Sequence, residues 1–324
     1  YSVGRKRRMT ERPGAENILV IKHGALGDVV LAQAPFQAIR AHHPNARITL
    51  LTTKLFKPFL EKSGLFDDIW IDEKPKLWQL SELTRLRNRL RAGKFARVYD
   101  LQTSSRSGSY LKLFTSRATP EWSGIAKGCS HPDTNPDRRK IHTIERQREQ
   151  LRLAGIETMP STDFAWAIGD LSAFELPENF ALLVPGGSAH RLEKRWPAAC
   201  YGALASHLAA KSISPVLIGG AAEADAIEHI KSECPTAINL SGKTSLDDLA
   251  SLGSKAVLAV GNDTGPLHLF AAVGCPVTVL FSHASDPVRA RPRGPNVTVL
   301  REQKLEDLPL AAVLDTLEMS NKGE

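Results

Sequence analysis

Cysteine is scarce in this chain of 324 residues: only Cys129, Cys200, Cys234 and Cys275 occur, and no two form a C-x-x-C pair. That scatter excludes a disulfide framework and a structural zinc site, and it fits a reducing cytosol. No apolar run approaches the roughly 20 residues that span a bilayer, so the chain reads as soluble. Tyr1 to Arg8 hold a Gly-Arg-Lys-Arg-Arg run with no apolar stretch behind it, which excludes a secretory signal and makes Met9 the expected natural start. There is no clear Asp-x-Asp loop and no His/carboxylate cluster to hold a metal. A recognisable nucleic-acid recognition module is also lacking.

What is present is ordinary globular composition, with 42% hydrophobic and 24% charged residues. The length exceeds what one hydrophobic core usually organises, so two domains are expected. Net charge is +7 with a pI near 9.3, which favours anionic partners without choosing among nucleic acid, membrane surface and phosphorylated substrate. The basic runs at residues 85–94 and 137–140 read equally as solvated faces or as anion-binding surface.

Short β-branched runs alternate with amphipathic stretches from Asn17 onward, the pattern of strand–helix–strand units around parallel sheets. In the first half the expected strands are 18–21, 48–52, 69–71 and 96–101, with helices near 29–42, 55–62, 80–92 and 143–154. Residues 155–178 read as an inter-domain connection. The second half repeats the scheme with strands at 181–184, 215–218, 237–240, 256–260, 277–281 and 297–300. Its helices are expected near 197–211, 223–232, 245–252, 266–273 and 310–319. The expected division is a flexible arm at 1–16 and two domains at 17–165 and 166–324.

Both halves open with an apolar strand running into a glycine turn, at Ile18–Asp28 and Leu182–Ser188. Ligands of open α/β sheets sit beyond the carboxyl ends of the strands, so two such domains would build a cleft between them. The first turn, Gly24-Ala-Leu-Gly27-Asp28, presents backbone N–H groups at a helix start. It lacks G-x-G-x-x-G and a ribose-holding acid about 20 residues on, which argues against a nicotinamide site. Asp28 reads either as a helix N-cap or as a base that takes a proton from an acceptor hydroxyl. Ser241-Gly-Lys-Thr-Ser imitates the end of a Walker loop, but Ala237 stands where its first glycine belongs, so a P-loop is rejected. Ser245, with Asp248 three residues on, instead reads as a helix cap. Lys194 precedes a helix opened by Pro197 and reads as a diphosphate contact or a solvated lysine. Thr264 and Gly265 sit at a helix start able to cradle a phosphate, and His268 falls on the same side one turn on.

Taken together and in order, these segments resemble glycosyltransferase family nine, the ADP-heptose:lipopolysaccharide heptosyltransferases. The matching pieces are Lys22-His-Gly-Ala-Leu-Gly-Asp28, Asp100-Leu-Gln-Thr, Gly187-Ser with Lys194-Arg-Trp-Pro197, Gly219-Gly-Ala-Ala-Glu223, Asn239-Leu-Ser-Gly-Lys-Thr-Ser-Leu246 and Asn262-Asp-Thr-Gly-Pro-Leu-His-Leu269. The resemblance runs from about Asn17 to the end.

It implies an α/β GT-B fold, with two Rossmann-like parallel-sheet domains facing across a cleft, acceptor bound by the first and donor by the second. The implied reaction is an inverting, metal-independent transfer of heptose from ADP-heptose to the Kdo/heptose inner core of lipopolysaccharide. The ADP-sugar is a substrate, and no cofactor is implied. Asp28 resembles the family's general base, and Lys194 its donor-phosphate contact. Glu223 resembles the ribose carboxylate, Asp263 a donor-sugar contact, and Thr264 and Gly265 the diphosphate cradle. Ser188 and His268 are further implied donor contacts. Lys54, Lys57, Gln102, Arg106 and Arg138 are candidates to meet an anionic lipid-linked acceptor. The implied location is the cytoplasm, peripheral on the inner face of the cytoplasmic membrane, with no nucleic-acid partner. Ser-His-Ala-Ser before Asp286-Pro departs from the glycine turn common in related proteins. Other readings are a transferase of the same fold with another sugar or acceptor, a non-catalytic nucleotide- or glycan-binding protein, and a nucleotide-sugar epimerase.

Overall fold

The structure is a computed structural model that describes residues 15–76, 78–115, 118–187 and 192–320. Ser188 and most of the expected N-terminal arm lie outside those residues. The first sheet holds β1 (Asn17–Ile21), β2 (Arg47–Thr52), β3 (Asp68–Ile71), β4 (Arg97–Asp100), β5 (Glu121–Gly124) and β6 (His131–Pro132). The second holds β7 (Phe180–Val184), β8 (Ser214–Leu217), β9 (Ile238–Asn239), β10 (Leu258–Asn262), β11 (Val277–Phe281) and β12 (Val297–Arg301).

All pairings in both sheets are parallel, and the orders are β3-β2-β1-β4-β5-β6 and β9-β8-β7-β10-β11-β12. Each half therefore carries the same doubly wound topology, with its crossover point between the first and fourth strands. The central strands are buried on both faces, as β7 and β11 show along their whole length, which is why their sequences are continuous apolar runs.

Most expected elements are found within a few residues of their expected bounds, and the helix Leu80–Ala92 coincides with its expectation. The helix expected at 29–42 is instead two, Leu26–Leu31 and Gln33–His42. Pro35 lacks the N–H that would bond to Leu31, and its ring would meet that carbonyl, so the helix breaks at Ala32. Strands β5 and β6 were not expected. Glu-Trp-Ser-Gly carries no β-branched residue, and its place is set by burial of Trp122 and by pairing with β4.

The segment 155–178 is more than a connection. Phe164, Ala167 and Leu171 are buried in one apolar cluster that also takes in Phe59 and Leu182. Phe59 stacks on Phe164 with ring centroids 6.3 Å apart and meets Trp166 at 4.8 Å. The two halves thus share a continuous apolar core at the connecting segment.

Candidate active site

The crossover points place four loops on one cleft: 22–28 after β1, 101–106 after β4, 185–187 after β7 and 263–265 after β10. Gly24, at φ +115°, must be glycine: that backbone is costly for other residues, and a β-carbon would lie 2.6 Å from the Phe56 ring. The turn delivers the chain into the helix Leu26–Leu31, whose N-cap is Ala25. The cap expected at 28 is therefore not there. Asp28 occupies the third helical position, half-exposed, with its carboxylate 4.0 Å from the Lys22 ammonium.

Lys22 is nearly buried and donates to the carbonyl of Leu101 at 3.2 Å. Burial lowers its pKa, the carboxylates of Asp28 and Asp100 oppose that fall, and Arg146 adds to it. Asp100 is fully buried and is pushed up to about 6 by burial, against hydrogen bonds from Ser107 and the Thr103 backbone. Gln102 accepts the backbone N–H of His23 at 2.8 Å, and His23 Nε2 lies 2.8 Å from Asp72, which also accepts the Tyr110 hydroxyl at 2.6 Å. Burial opposes ionisation of Asp72, but the bonds from His23 and Tyr110 outweigh it and hold the carboxyl below its ordinary value. This network fixes the loops after β1, β3 and β4 to one another.

Asp28 opens into a cavity of about 750 Å³ shared with Lys22, Gln102, Arg138, Arg146 and Arg289. Of the acceptor candidates, Gln102 and Arg138 are brought to it. Lys57 lines a separate groove of about 370 Å³ with Ile69, Ile71, Leu86 and Arg89. Lys54 is exposed on the loop after β2, and exposed Arg106 donates to the carbonyl of Pro75 at 3.0 Å. Neither lines the larger cavity.

On the opposite side Lys194 and Asp263 form an ion pair at 2.7 Å, both nearly buried. Glu223 sits over the turn after β7: a β-carbon at Gly186 would lie 2.8 Å from its Cγ. The Glu223 carboxylate accepts the Gly220 N–H at 2.9 Å and lies 3.7 Å from Arg195. Thr264 is the N-cap of the helix Gly265–Ala272 and makes no side-chain capping bond. Its backbone N–H and that of Gly265 have no partner among the described residues.

The organiser of this side is Asn262, a residue without an assigned role in the sequence. Fully buried, it accepts the Trp196 backbone N–H at 3.0 Å and the Tyr201 hydroxyl at 3.1 Å, and donates to the carbonyls of Pro185 and Gly186 at 2.8 and 3.0 Å. All four bonding sites of the amide are used. Trp196 is itself buried and donates from its indole to Leu308, so Lys194 is held beside a rigid anchor. The capping box expected at Ser245 and Asp248 is present.

The two sides meet where the helices Leu26–Leu31 and Gly265–Ala272 approach each other near their amino ends. A β-carbon at Gly27 would lie 2.7 Å from His268 Cδ2, and one at Gly265 would lie 2.7 Å from Leu26 Cβ. His268 is buried in this junction, and its Nδ1 has no partner among the described residues. Burial lowers its pKa to about 4, although Asp263 and Asp28 pull the other way, so the ring is neutral near pH 7. Asp28 and the Thr264–His268 segment are thereby assembled around one gap. Arg139, from the basic run at 137–140, also lines the cavity, together with Arg146 and Arg289, which neither spacing nor composition singled out.

A family model described as glycosyltransferase family 9 (heptosyltransferase) matches residues 83–318. The chain is 24% identical to lipooligosaccharide heptosyltransferase 2 of Haemophilus influenzae, with 88% of each covered. It superposes on a family 9 glycosyl transferase from Veillonella parvula with a TM-score of 0.80 at 21% identity, covering 94% of this chain and 96% of the other. For the Escherichia coli heptosyltransferase WaaC solved with ADP, the TM-score is 0.74 at 21% identity, with coverages of 94% and 99%. The family match over most of the chain agrees with the paired parallel sheets and the loops that meet between them: this protein belongs to glycosyltransferase family 9, the heptosyltransferases.

Proposed function

We propose that this enzyme transfers heptose from ADP-heptose to the Kdo/heptose inner core of lipopolysaccharide, inverting the anomeric centre, with Asp28 as general base. The observation that carries the proposal is the meeting of the two helix starts, which brings the half-exposed carboxylate of Asp28 to the same junction as Gly265 and His268. Residues 17–165 hold the acceptor and residues 166–324 the ADP-sugar. The chemistry agrees with the names of its relatives, including a WaaC structure with ADP.

In this mechanism Asp28 takes the proton of an acceptor hydroxyl as its oxygen bonds to the anomeric carbon, and the bond to the β-phosphate oxygen breaks with its electron pair leaving on ADP. Lys194 and the Thr264 and Gly265 amides stabilise the departing diphosphate. His268, neutral and with an Nδ1 that has no partner among the described residues, gives one more polar contact at that gap. Glu223 holds the ribose and Asp263 the sugar. These groups carry the charge without a metal, so a chelator leaves the rate unchanged.

The acceptor's lipid implies a membrane surface. Leu55 and Trp78, on the loops that leave the adjacent strands β2 and β3, and Leu80, at the start of the helix Leu80–Ala92, are 66%, 74% and 71% exposed. Lys54, Lys74 and Lys76 are exposed among them, with the Lys76 ammonium 5.0 Å from the Trp78 ring. Aromatic and basic side chains in that mixture suit an anionic interface. No helix among the described residues is long and apolar enough to cross a membrane.

The test is mass spectrometry of the purified protein with a panel of nucleotide sugars and Kdo-bearing lipid A. A heptose-sized gain on the acceptor only with ADP-heptose supports the assignment, and a gain with another sugar nucleotide replaces it. Asp28→Ala should lose about 10²–10⁴ in rate while ADP affinity stays within about twofold; weakened ADP binding at full rate refutes the base.

A further inference from the structure

The larger cavity has an unbalanced lining. Five cations, Lys22, Arg138, Arg139, Arg146 and Arg289, face it against the carboxylate of Asp28. Arg138 is neutralised by buried Asp133 at 2.7 Å. Half-buried Arg146 donates only to the Thr143 hydroxyl, at 2.7 Å, and the guanidinium groups of Arg139 and Arg289 have no partner among the described residues. Clustered guanidinium groups repel unless an anion lies between them, and their planar donor forks match carboxylate or phosphate oxygens. Arg146 is depressed below its ordinary pKa, first by burial and then by Arg138, with Arg289 adding to the fall and Asp28 opposing it.

Arg289 differs from the others in origin. It belongs to the short helix Pro287–Ala290, which follows β11 in the half that carries Lys194 and Thr264. Its backbone is docked on the other half. The Thr143 hydroxyl donates to the Arg289 carbonyl at 3.4 Å, and His142 Nε2 donates to the Arg291 carbonyl at 2.9 Å. His142 Nδ1 accepts from the Ile144 N–H, which fixes the proton on Nε2. Arg293 adds a contact with Glu145 at 3.8 Å. These bonds hold the Arg289 loop at the amino end of the helix Thr143–Leu153, one turn from Arg146.

We propose that Arg289 of the donor-side half completes, with Arg146 and Arg138 of the other half, an oxyanion site for the acceptor, so that an acid group of the acceptor is held across the domain boundary beside Asp28. The inference rests on the reading of this cleft as the acceptor site. Its ligand is a carboxylate or phosphate borne by the acceptor sugar. The arrangement makes acceptor recognition depend on a residue outside the acceptor domain and ties acceptor binding to the docking of the Arg289 loop on the helix Thr143–Leu153.

The experiment compares wild type with Arg289→Gln and Arg289→Lys in steady-state transfer and in calorimetry with ADP. Arg289→Gln should raise the acceptor KM about tenfold or more, with the donor KM and ADP Kd within about twofold; Arg289→Lys should recover part of the loss. An unchanged acceptor KM overturns the proposal, and so does an equal loss of ADP affinity, which would assign Arg289 to the donor diphosphate. Free Kdo and inorganic phosphate serve as competitors. Selective loss of Kdo inhibition in Arg289→Gln identifies a carboxylate, selective loss of phosphate inhibition a phosphate, and loss of neither overturns the site. If wild type transfers nothing to the Kdo acceptor, the functional reading fails independently. Direct calorimetry of Kdo and phosphate on wild type and Arg289→Gln then decides: weaker binding to the variant supports the site, and equal or absent binding overturns it.

Discussion

Lys194 and Asp263, carried on loops that follow different strands, form an ion pair at 2.7 Å with only 12% and 10% of their side chains exposed. The pair is preformed, so an incoming diphosphate meets an ammonium already oriented by its carboxylate partner. Lys194→Ala leaves Asp263 without its countercharge in a nearly dry site, which destabilises the fold as well as the chemistry. Turnover should fall by about 10²–10³. The double variant Lys194→Ala, Asp263→Ala should regain melting temperature without regaining rate, which calorimetry and kinetics read separately.

Asn262→Ala would strand the Trp196 N–H and the carbonyls of Pro185 and Gly186 in the interior, while the Tyr201 hydroxyl keeps the Val184 carbonyl at 3.2 Å. With each buried unpaired group costing about 1–3 kcal/mol, the variant should lose at least about 3 kcal/mol in chemical denaturation. Wild-type stability would show that the amide is not the hub of the donor side.

Gly27→Ala would place a β-carbon 2.7 Å from the buried His268 ring, so that the ring or one of the helices must shift. Overpacking of this kind costs about 1–3 kcal/mol, and the rate should fall with it as the two helix starts are forced apart. Shortening the opposing side chain should relieve the clash, so Gly27→Ala, His268→Ala should show a favourable coupling in a double-mutant cycle. Additive losses would mean that the junction is loose.

Two buried groups give opposite pH signatures. Asp100 has a folded pKa raised to about 6 from an ordinary 3.8, so its stabilising contribution is full below 3.8 and lost as pH rises through 6. His268 is lowered to about 4 from 6.5, so its contribution is full above 6.5 and lost as pH falls through 4. Asp100→Asn should therefore gain stability relative to wild type above pH 6, and His268→Gln should gain relative to wild type below pH 6.5. Melting curves from pH 4 to 8 test both, and variant profiles parallel to wild type would contradict these assignments.

The sequence by itself determined the winding of the chain, because parallel strands buried on both faces demand the apolar runs at Ile18–Ile21, Phe180–Val184 and Val277–Phe281. It also marked the loops that meet at the cleft, since a glycine turn after a strand is a local feature, and it singled out Asp28, Lys194 and Thr264 as candidates. The break at Ala32 has a local cause in Pro35, yet the apolar periodicity alone read 29–42 as one helix. Only tertiary structure decided the rest. Strand β5 has almost no local signal and exists because β4 and Trp122 need a neighbour. Asn262 acts through partners 61 to 77 residues away. Phe164 and Trp166 read as connection residues until Phe59 packs on them. Arg146 and Arg289 are ordinary surface-type residues in sequence. Their common charge acquires meaning only where the loop after β11 is bonded to the helix Thr143–Leu153 and four guanidinium groups are brought to the cavity that Asp28 lines.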